Sequence, residues 1–489
     1  MHKLLITLIL VFSYFTNIQA KTYYVSIQGN DENDGLSPET AWRSLDKVSV
    51  TVFQQGDTLL FKSGDVWTGG VAPKGSGSKV SPIVVDKYGA GANPRIDGQG
   101  QNDSRVFALT DQSYWKIVNL EITNRQPQGG ENRLTGIYVH ASKDKSIAGI
   151  TISHCFVHDV GSVSDEKNKN FSKGCGGIIF SGLTNDVLIE YCHVKDVSVE
   201  GIRNSSDIKC AHFVIDHNLI ENVYGDGIVL HGVKRGSAIT HNTLRNTCYN
   251  TSKANYAGAW TYLSDSTRIA YNEVSGITGG GHNDGQPFDA DIAVNGDIFE
   301  YNYTHDNAKG FMLFMPSAKN VIVRFNLSVN DISNGSGNQR LFNYTVRKTG
   351  NNNKIYNNTF FIDAKVDYLF QGGFVGTFTN NIVYCLDSVD SFANKPLTEK
   401  GEFFNNCFYP LSITSINGPA GKPDKNLSLP CLKIHRSIGT PKIIAQRLYA
   451  LPRKSPLKNK GKGVPDNGGR DFTGKDISAN NVSAIGAIW

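Results

Sequence analysis

The chain has 489 residues, with 49 Lys and Arg against 44 Asp and Glu, a formal net charge of +5. This mild basic excess suits an acidic partner without demanding one. No helix-turn-helix or zinc-finger spacing occurs, which argues against nucleic acid. Beyond the first twenty residues no stretch is long and apolar enough to insert in a bilayer.

Residues 1–20 read as a secretory signal peptide: Lys3 precedes the apolar stretch 4–13, and Ile18-Gln-Ala20 offers a small-residue cleavage site. No Cys follows that site, so a lipoprotein is not expected. The mature chain begins near Lys21 and is exported, periplasmic or secreted. Residues 21–110 form an N-terminal cap and the first coils: the strand KTYYV, a turn-rich loop, a short capped helix in SPETAWRSLDKV, then GDTLLFKSGDVW and SPIVVDKYGAGANPRIDGQG. A solenoid needs such a cover because its first coil has an open edge.

Residues 111–410 carry a repeat. ISHCFVHDV, IEYCHVKDV, IDHNLIENV and ITHNTLRNT are followed by IAYNEVSGI, FEYNYTHDN, VRFNLSVND, KIYNNTFFI, FTNNIVYC and FFNNCFYP. One column reads Cys155, Cys192, Asn218, Asn242, Asn272, Asn302, Asn326, Asn357, Asn381 and Asn406, spaced by 24 to 37 residues. Three positions earlier the column is Ile152, Ile189, Ile215, Ile239, Ile269, Phe299, Val323, Lys354, Phe378 and Phe403, mainly apolar. The column two positions later, from Val157 to Phe408, is also mainly apolar but includes Thr304, Ser328 and Thr359. Alternation that returns once per two dozen residues is a strand recurring once per coil. The fold expected is all-β: a single-stranded right-handed parallel β-helix with an asparagine ladder at one bend. Cys155 and Cys192 fill the ladder as buried free thiols. His217 and His241 share an aromatic column with Tyr191, Tyr271, Tyr301 and Tyr356, and read as structural. Residues 411–489 lose the repeat and form a loop-rich C-terminal cover.

The opening YYVSIQGNDENDGLSPETAWRSL, the IDGQG strand, the asparagine column and the closing DFTGKDISANNVSAIGA resemble the pectate lyase-like, chondroitinase B-like superfamily of secreted β-helix proteins. The resemblance covers nearly the whole mature chain. It implies a carbohydrate-active protein. It does not choose the reaction, because this scaffold hosts lyases, hydrolases, epimerases and adhesins.

Candidate chemistry lies on the strand after each turn: EGIRNSS, GDGIVLHG, AGAWTYLS, PFDADIA and QRLFNYTV. Alternation turns Arg203, His231, Trp260 and Tyr262 outward. The stretch GGGHNDGQPFDADIA places poor strand formers together, as a groove lining would. Asp289 and Asp291 share strand parity; Asp284 reads as a turn residue. The candidate catalytic groups are His231, Arg203, Tyr262, Asp226, Asp289, Asp291 and His282. The candidate substrate-binding groups are Trp260, Lys234, Arg235, Arg340 and Tyr344.

Three functions compete. In β-elimination on a uronic acid, poly- or oligomeric, Arg203 or Arg340 stabilises the enolate-like charge. His231 or His282 takes the C5 proton, and Tyr262 protonates the leaving oxygen. The leaving group is a sugar for a lyase and a hydroxyl for a dehydratase. In glycoside hydrolysis, two of Asp226, Asp289 and Asp291 flank one bond. A non-catalytic glycan-binding helix is the third. Neither chemistry requires a cofactor; Ca²⁺ held by the Asp cluster is an alternative neutraliser. Elimination on an acidic glycan, of the chondroitin or ulvan type, is the leading expectation. The oligomeric state is not legible.

Overall fold

The computed structural model describes residues 19–101, 104–125, 133–161, 174–249, 256–279, 284–332, 339–345, 351–393, 401–409, 450–477 and 484–488. Among them the chain winds as a right-handed parallel β-helix, with three sheets of 14, 13 and 11 strands. One coil shows the plan. Phe213–Asp216 lies in the first sheet, Leu219–Val223 in the second and Ile228–Val233 in the third. Ala238–Thr240 then returns to pair in parallel with Phe213–Asp216.

Apolar columns hold the coils together. Ile189, Ile215, Ile239, Ile269, Phe299 and Val323 pair strand to strand and are fully buried. The ladder follows three residues later. The Oδ1 of Asn218 accepts the amide of Cys192 at 2.9 Å, and its Nδ2 donates to the carbonyl of Ile189 at 2.9 Å. The same pattern runs through Asn242, Asn272, Asn302 and Asn326. It satisfies backbone groups that a tight bend would otherwise bury without partners.

One coil departs from the sequence alignment. Val323 pairs with Ile355 and Ser328 with Phe360, so the ladder residue is Asn358 and not Asn357. Lys354 is exposed. Adjacent Asn357 and Asn358 make the alignment ambiguous by one residue, and burial of Ile355 and Phe360 decides it. Tyr356 accordingly leaves the aromatic column and bonds Arg324.

The residue before each ladder position takes a left-handed backbone, with φ of 54° at His217, 53° at His241 and 60° at Tyr271. That conformation costs an L-residue roughly 1–2 kcal/mol. Ladder hydrogen bonds and ring stacking offset it. His154, Tyr191, His217, His241, Tyr271, Tyr301 and Phe325 stack in series with centroids 4.5 to 5.7 Å apart. Thr304 and Ser328 face inward because the fully buried carboxylate of Asp331 accepts both hydroxyls.

At the N-terminal end the helix Leu45–Val50 starts at Ser44, whose Oγ accepts the amide of Lys47 at 3.0 Å. At the other end Leu451, Leu457, Phe472, Ile485 and Ile488 pack on Leu327, Phe361, Ile382 and Tyr384, outward residues of the second sheet. Seven of the eight cysteines lie in described segments, all buried free thiols. No helix of the described residues is long and apolar enough to cross a membrane.

Candidate active site

The third sheet carries the candidate residues. Its register aligns Ile178, Ile202, Ile228, Ala259, Phe288, Met312 and Phe342 inward. The next position therefore points outward: Tyr138, Ile179, Arg203, Val229, Trp260, Asp289, Leu313 and Asn343. Two residues further along runs a second outward row, in which His231 pairs with Tyr262. Asp291 continues that row, its amide bonding the carbonyl of Thr261. Arg203, His231, Trp260, Tyr262, Asp289 and Asp291 thus share one outer face, as their parity predicts.

Glycine lets successive coils of this sheet pack closely. Gly177, Gly201, Gly227 and Gly258 stack in successive coils, and a Cβ on any of them would lie 2.5 to 2.6 Å from a carbonyl oxygen of the next coil. The GDG at 225–227 is therefore more than a turn. It sets Asp226 fully buried in the wall, where Oδ1 accepts the amide of Ala257 and the indole Nε1–H of Trp260, each at 2.8 Å. Asp226 fixes the plane of the indole. Trp260 packs on Val229, Ala257 and Tyr262, an apolar floor for the face.

Arg203 is 6 % exposed and neutralised. Its Nη1 meets Oε1 of fully buried Glu200 at 2.5 Å, and its Nε donates to Ser205 Oγ at 2.6 Å. Its guanidinium carbon lies 5.8 Å from the centre of the Trp260 ring system. His231 meets Tyr262 edge to face at 4.5 Å and borders a hollow of about 690 Å³ with Ser181, Ser205 and Ile208. Tyr256 is 1 % exposed. Burial and the carboxylates of Asp226 and Glu200 push its phenol far above the ordinary value, so it stays a neutral hydroxyl.

Beyond Asp289 the wall turns basic. Lys309 is clamped between glycines: a Cβ on Gly279 would fall 2.7 Å from its Cγ, and one on Gly285 would fall 3.2 Å away. Part of the glycine-rich stretch thus exists to hold a lysine. Burial and the neighbouring Arg340 lower the Lys309 ammonium. Arg340 is 4 % exposed and is itself lowered by burial, which Tyr368 and Asp284 oppose.

Several expected residues sit elsewhere. Tyr344 does not line the groove. It pairs with Phe314 in the core, is fully buried, and bonds the Val375 carbonyl and Asn353. The inward pair in its strand is Phe342 and Tyr344, which reverses the parity expected from Leu341. Arg340, the alternative to Arg203 as neutralising cation, stands five coils beyond it. Lys234 and Arg235 are exposed in the turn after Val233, outside the residues bordering that hollow. His282 lies outside the described residues. Among the described residues, the metal-binding geometry belongs to Asp216, His217 and His241 at the bend between the first two sheets, away from Asp289 and Asp291. Sequence reading missed Glu200, Tyr256 and Lys309. Glu200 had a signal: Glu200-Gly201 and Asp226-Gly227 occupy one column.

A family model described as a right handed beta helix region matches residues 102–274. A lacto-N-biosidase of Bifidobacterium longum subsp. longum is 25% identical over 80% of this chain, which spans only 30% of that relative's length. An alpha-1,3-galactosidase A of Akkermansia muciniphila is 36% identical over 58 residues, 12% of this chain and 10% of its own. A solved GH136 lacto-N-biosidase from Eubacterium ramulus superposes with a TM-score of 0.62 at 24% identity, over 78% of this chain and 67% of its own. XylC in complex with xylose superposes with a TM-score of 0.53 at 12% identity, over 96% and 98%. The matched segment, the three-sheet coil and the asparagine ladder together give this chain the right-handed parallel β-helix fold.

Proposed function

We propose that the protein is a carbohydrate-active enzyme, a glycoside hydrolase that binds an oligosaccharide along the third sheet and cleaves it beside Trp260. The observation that carries this is the pair Asp289 and Asp291. They are two residues apart on one outward face, so their Cα atoms lie about 6.6 Å apart. A glycosidase flanks the scissile bond with two carboxyl groups, and neighbouring outward positions bring two to one stretch of the wall. Asp289, 6 % exposed beside the indole, protonates the leaving oxygen; the more open Asp291 serves the attacking side, where water enters. Asp226 acts through Trp260 as a positioning residue.

The lacto-N-biosidase relatives support hydrolysis. Elimination, the leading expectation from sequence, has weaker support. It needs a cation and a base converging on one proton. Arg203, the cation expected to neutralise the substrate carboxylate, is itself charge-paired with Glu200.

The test is incubation of the full chain with an aryl lacto-N-bioside, neutral oligosaccharides and acidic polysaccharides. New reducing ends without absorbance from a C4–C5 double bond are expected. That absorbance would replace hydrolysis by elimination. Export is part of the proposal: N-terminal sequencing of the exported protein should begin near Lys21.

A further inference from the structure

The same outer face continues toward the N-terminus, away from the carboxyl pair, and ends in a second hollow of about 370 Å³. Arg105, Arg133, Tyr138, Ser181 and Ser205 line it together with Thr135, and among the described residues none of its lining is acidic. The guanidinium carbon of Arg105 lies over the Tyr138 ring, 3.8 Å from its centre. Among the described residues Arg105 makes no ion pair, and it is exposed. The ring of His140 stacks beside Tyr138 at 5.8 Å. Arg133 reaches across to Gly174, where an added Cβ would lie 3.9 Å from its Nη2. Glu200 accepts the amide of Gly174 and is charge-paired with Arg203.

We infer that this hollow is a subsite for an anionic sugar residue, one bearing a carboxylate or a sulfate ester, within the glycan groove proposed above. The inference rests on that reading of the face as a glycan groove. An arginine fork suits both anions, binding two oxygens in one plane. The volume is that of a small-ligand pocket. The Tyr138 ring, 8 % exposed beneath Arg105, holds the guanidinium in place, and the serine hydroxyls can bond ring substituents. Tyr138 and Asp289 lie in one outward row, five strand spacings apart, or roughly 24 Å. Several sugar rings separate the anionic residue from the bond that is cut. The subsite therefore selects an acidic glycan without placing its charge at the reacting centre.

Isothermal titration of the full chain tests this, using a neutral oligosaccharide, its sulfated form and its uronate-bearing form. Anionic forms should bind about tenfold more tightly than the neutral parent, with a preference that fades at high salt. Preference for only one anion supports the subsite and names its ligand. Arg105→Ala and Arg105→Gln should each erase the preference while keeping the melting temperature. Equal binding of neutral and anionic forms overturns the inference. So does a folded Arg105 variant that keeps the preference, or inorganic sulfate that competes as strongly as the sulfated glycan. Binding is read without turnover. A chain that shows the preference yet cleaves nothing defeats only the hydrolase reading, and an active hydrolase without the preference defeats only this one.

Discussion

Asp289 and Asp291 stand on the outer face beyond Trp260, where Asp291 Oδ1 accepts the Ile292 amide at 2.6 Å. Asp226 and Glu200 are fully buried and spend their oxygens on an indole, a backbone amide and a guanidinium. Asp289→Asn and Asp291→Asn should each lower kcat by at least about 10²-fold with the melting temperature unchanged. Steady-state kinetics on the aryl glycoside checks this, and near wild-type turnover in either variant would remove that residue from the mechanism. A second residue-scale prediction concerns the interior. Asp297 is fully buried, its Oδ1 accepting the Thr267 amide and the Ser264 hydroxyl, and burial raises its carboxyl from 3.8 to about 7. Between those values the folded chain holds a proton that the unfolded chain has released. Stability from this group is therefore full near pH 4 and is lost as the pH rises to 7. Asn353 occupies the equivalent position two coils on, accepting the Val321 amide and donating to Ala318. Asp297→Asn should raise Tm by roughly 2 °C or more above pH 7 and leave it nearly unchanged at pH 4. A scan showing no pH dependence in that difference would reject the buried-proton account.

Each coil is one element repeated, and its bends carry the polar cost. Asn272 accepts the Asn242 amide at 2.9 Å and donates to the Ile239 carbonyl and to Asn302. Asn272→Ala leaves that amide buried and unbonded and should cost about 2–4 kcal/mol, read as a fall in the urea midpoint. Asn272→Cys should cost less, since Cys155 and Cys192 already serve in the ladder. A wild-type midpoint for the alanine variant would mean that the ladder follows from the fold and does not support it. These elements were legible in sequence because the apolar spacing recurs from coil to coil and the asparagine from Asn218 onward. The coil at 354–362 was misaligned by one residue, since the Asn357–Asn358 doublet satisfies the polar column either way and only burial of Ile355 separates the registers. Tyr344 failed for the same reason: in a strand as apolar as Arg340–Tyr344, alternation carries little information about which side faces in.

At the scale of the molecule, a solenoid has faces and two ends. The C-terminal residues from 450 onward cover apolar side chains of the last coils, among them Leu327, Ile382 and Tyr384. A chain ending at 449 should expose that surface and aggregate, as uncapped solenoids do. A truncated protein that elutes as a sharp species with the full-length Tm would show the cover to be dispensable. The sequence by itself determined the coil, its period, the ladder, and the outward parity of Arg203, Trp260, Asp289 and Asp291, because each follows from local alternation repeated many times. Only the tertiary structure decided what those residues do. Whether Arg203 is a free cation depends on Glu200 folding back onto it across a glycine, and whether Asp226 is a catalyst or a brace depends on an indole in the next coil. Lys309 gained its place from glycines 30 and 24 residues earlier in the chain. Local alternation sets the direction of a side chain; its charge state and partners come from neighbouring coils, which a linear reading cannot bring together.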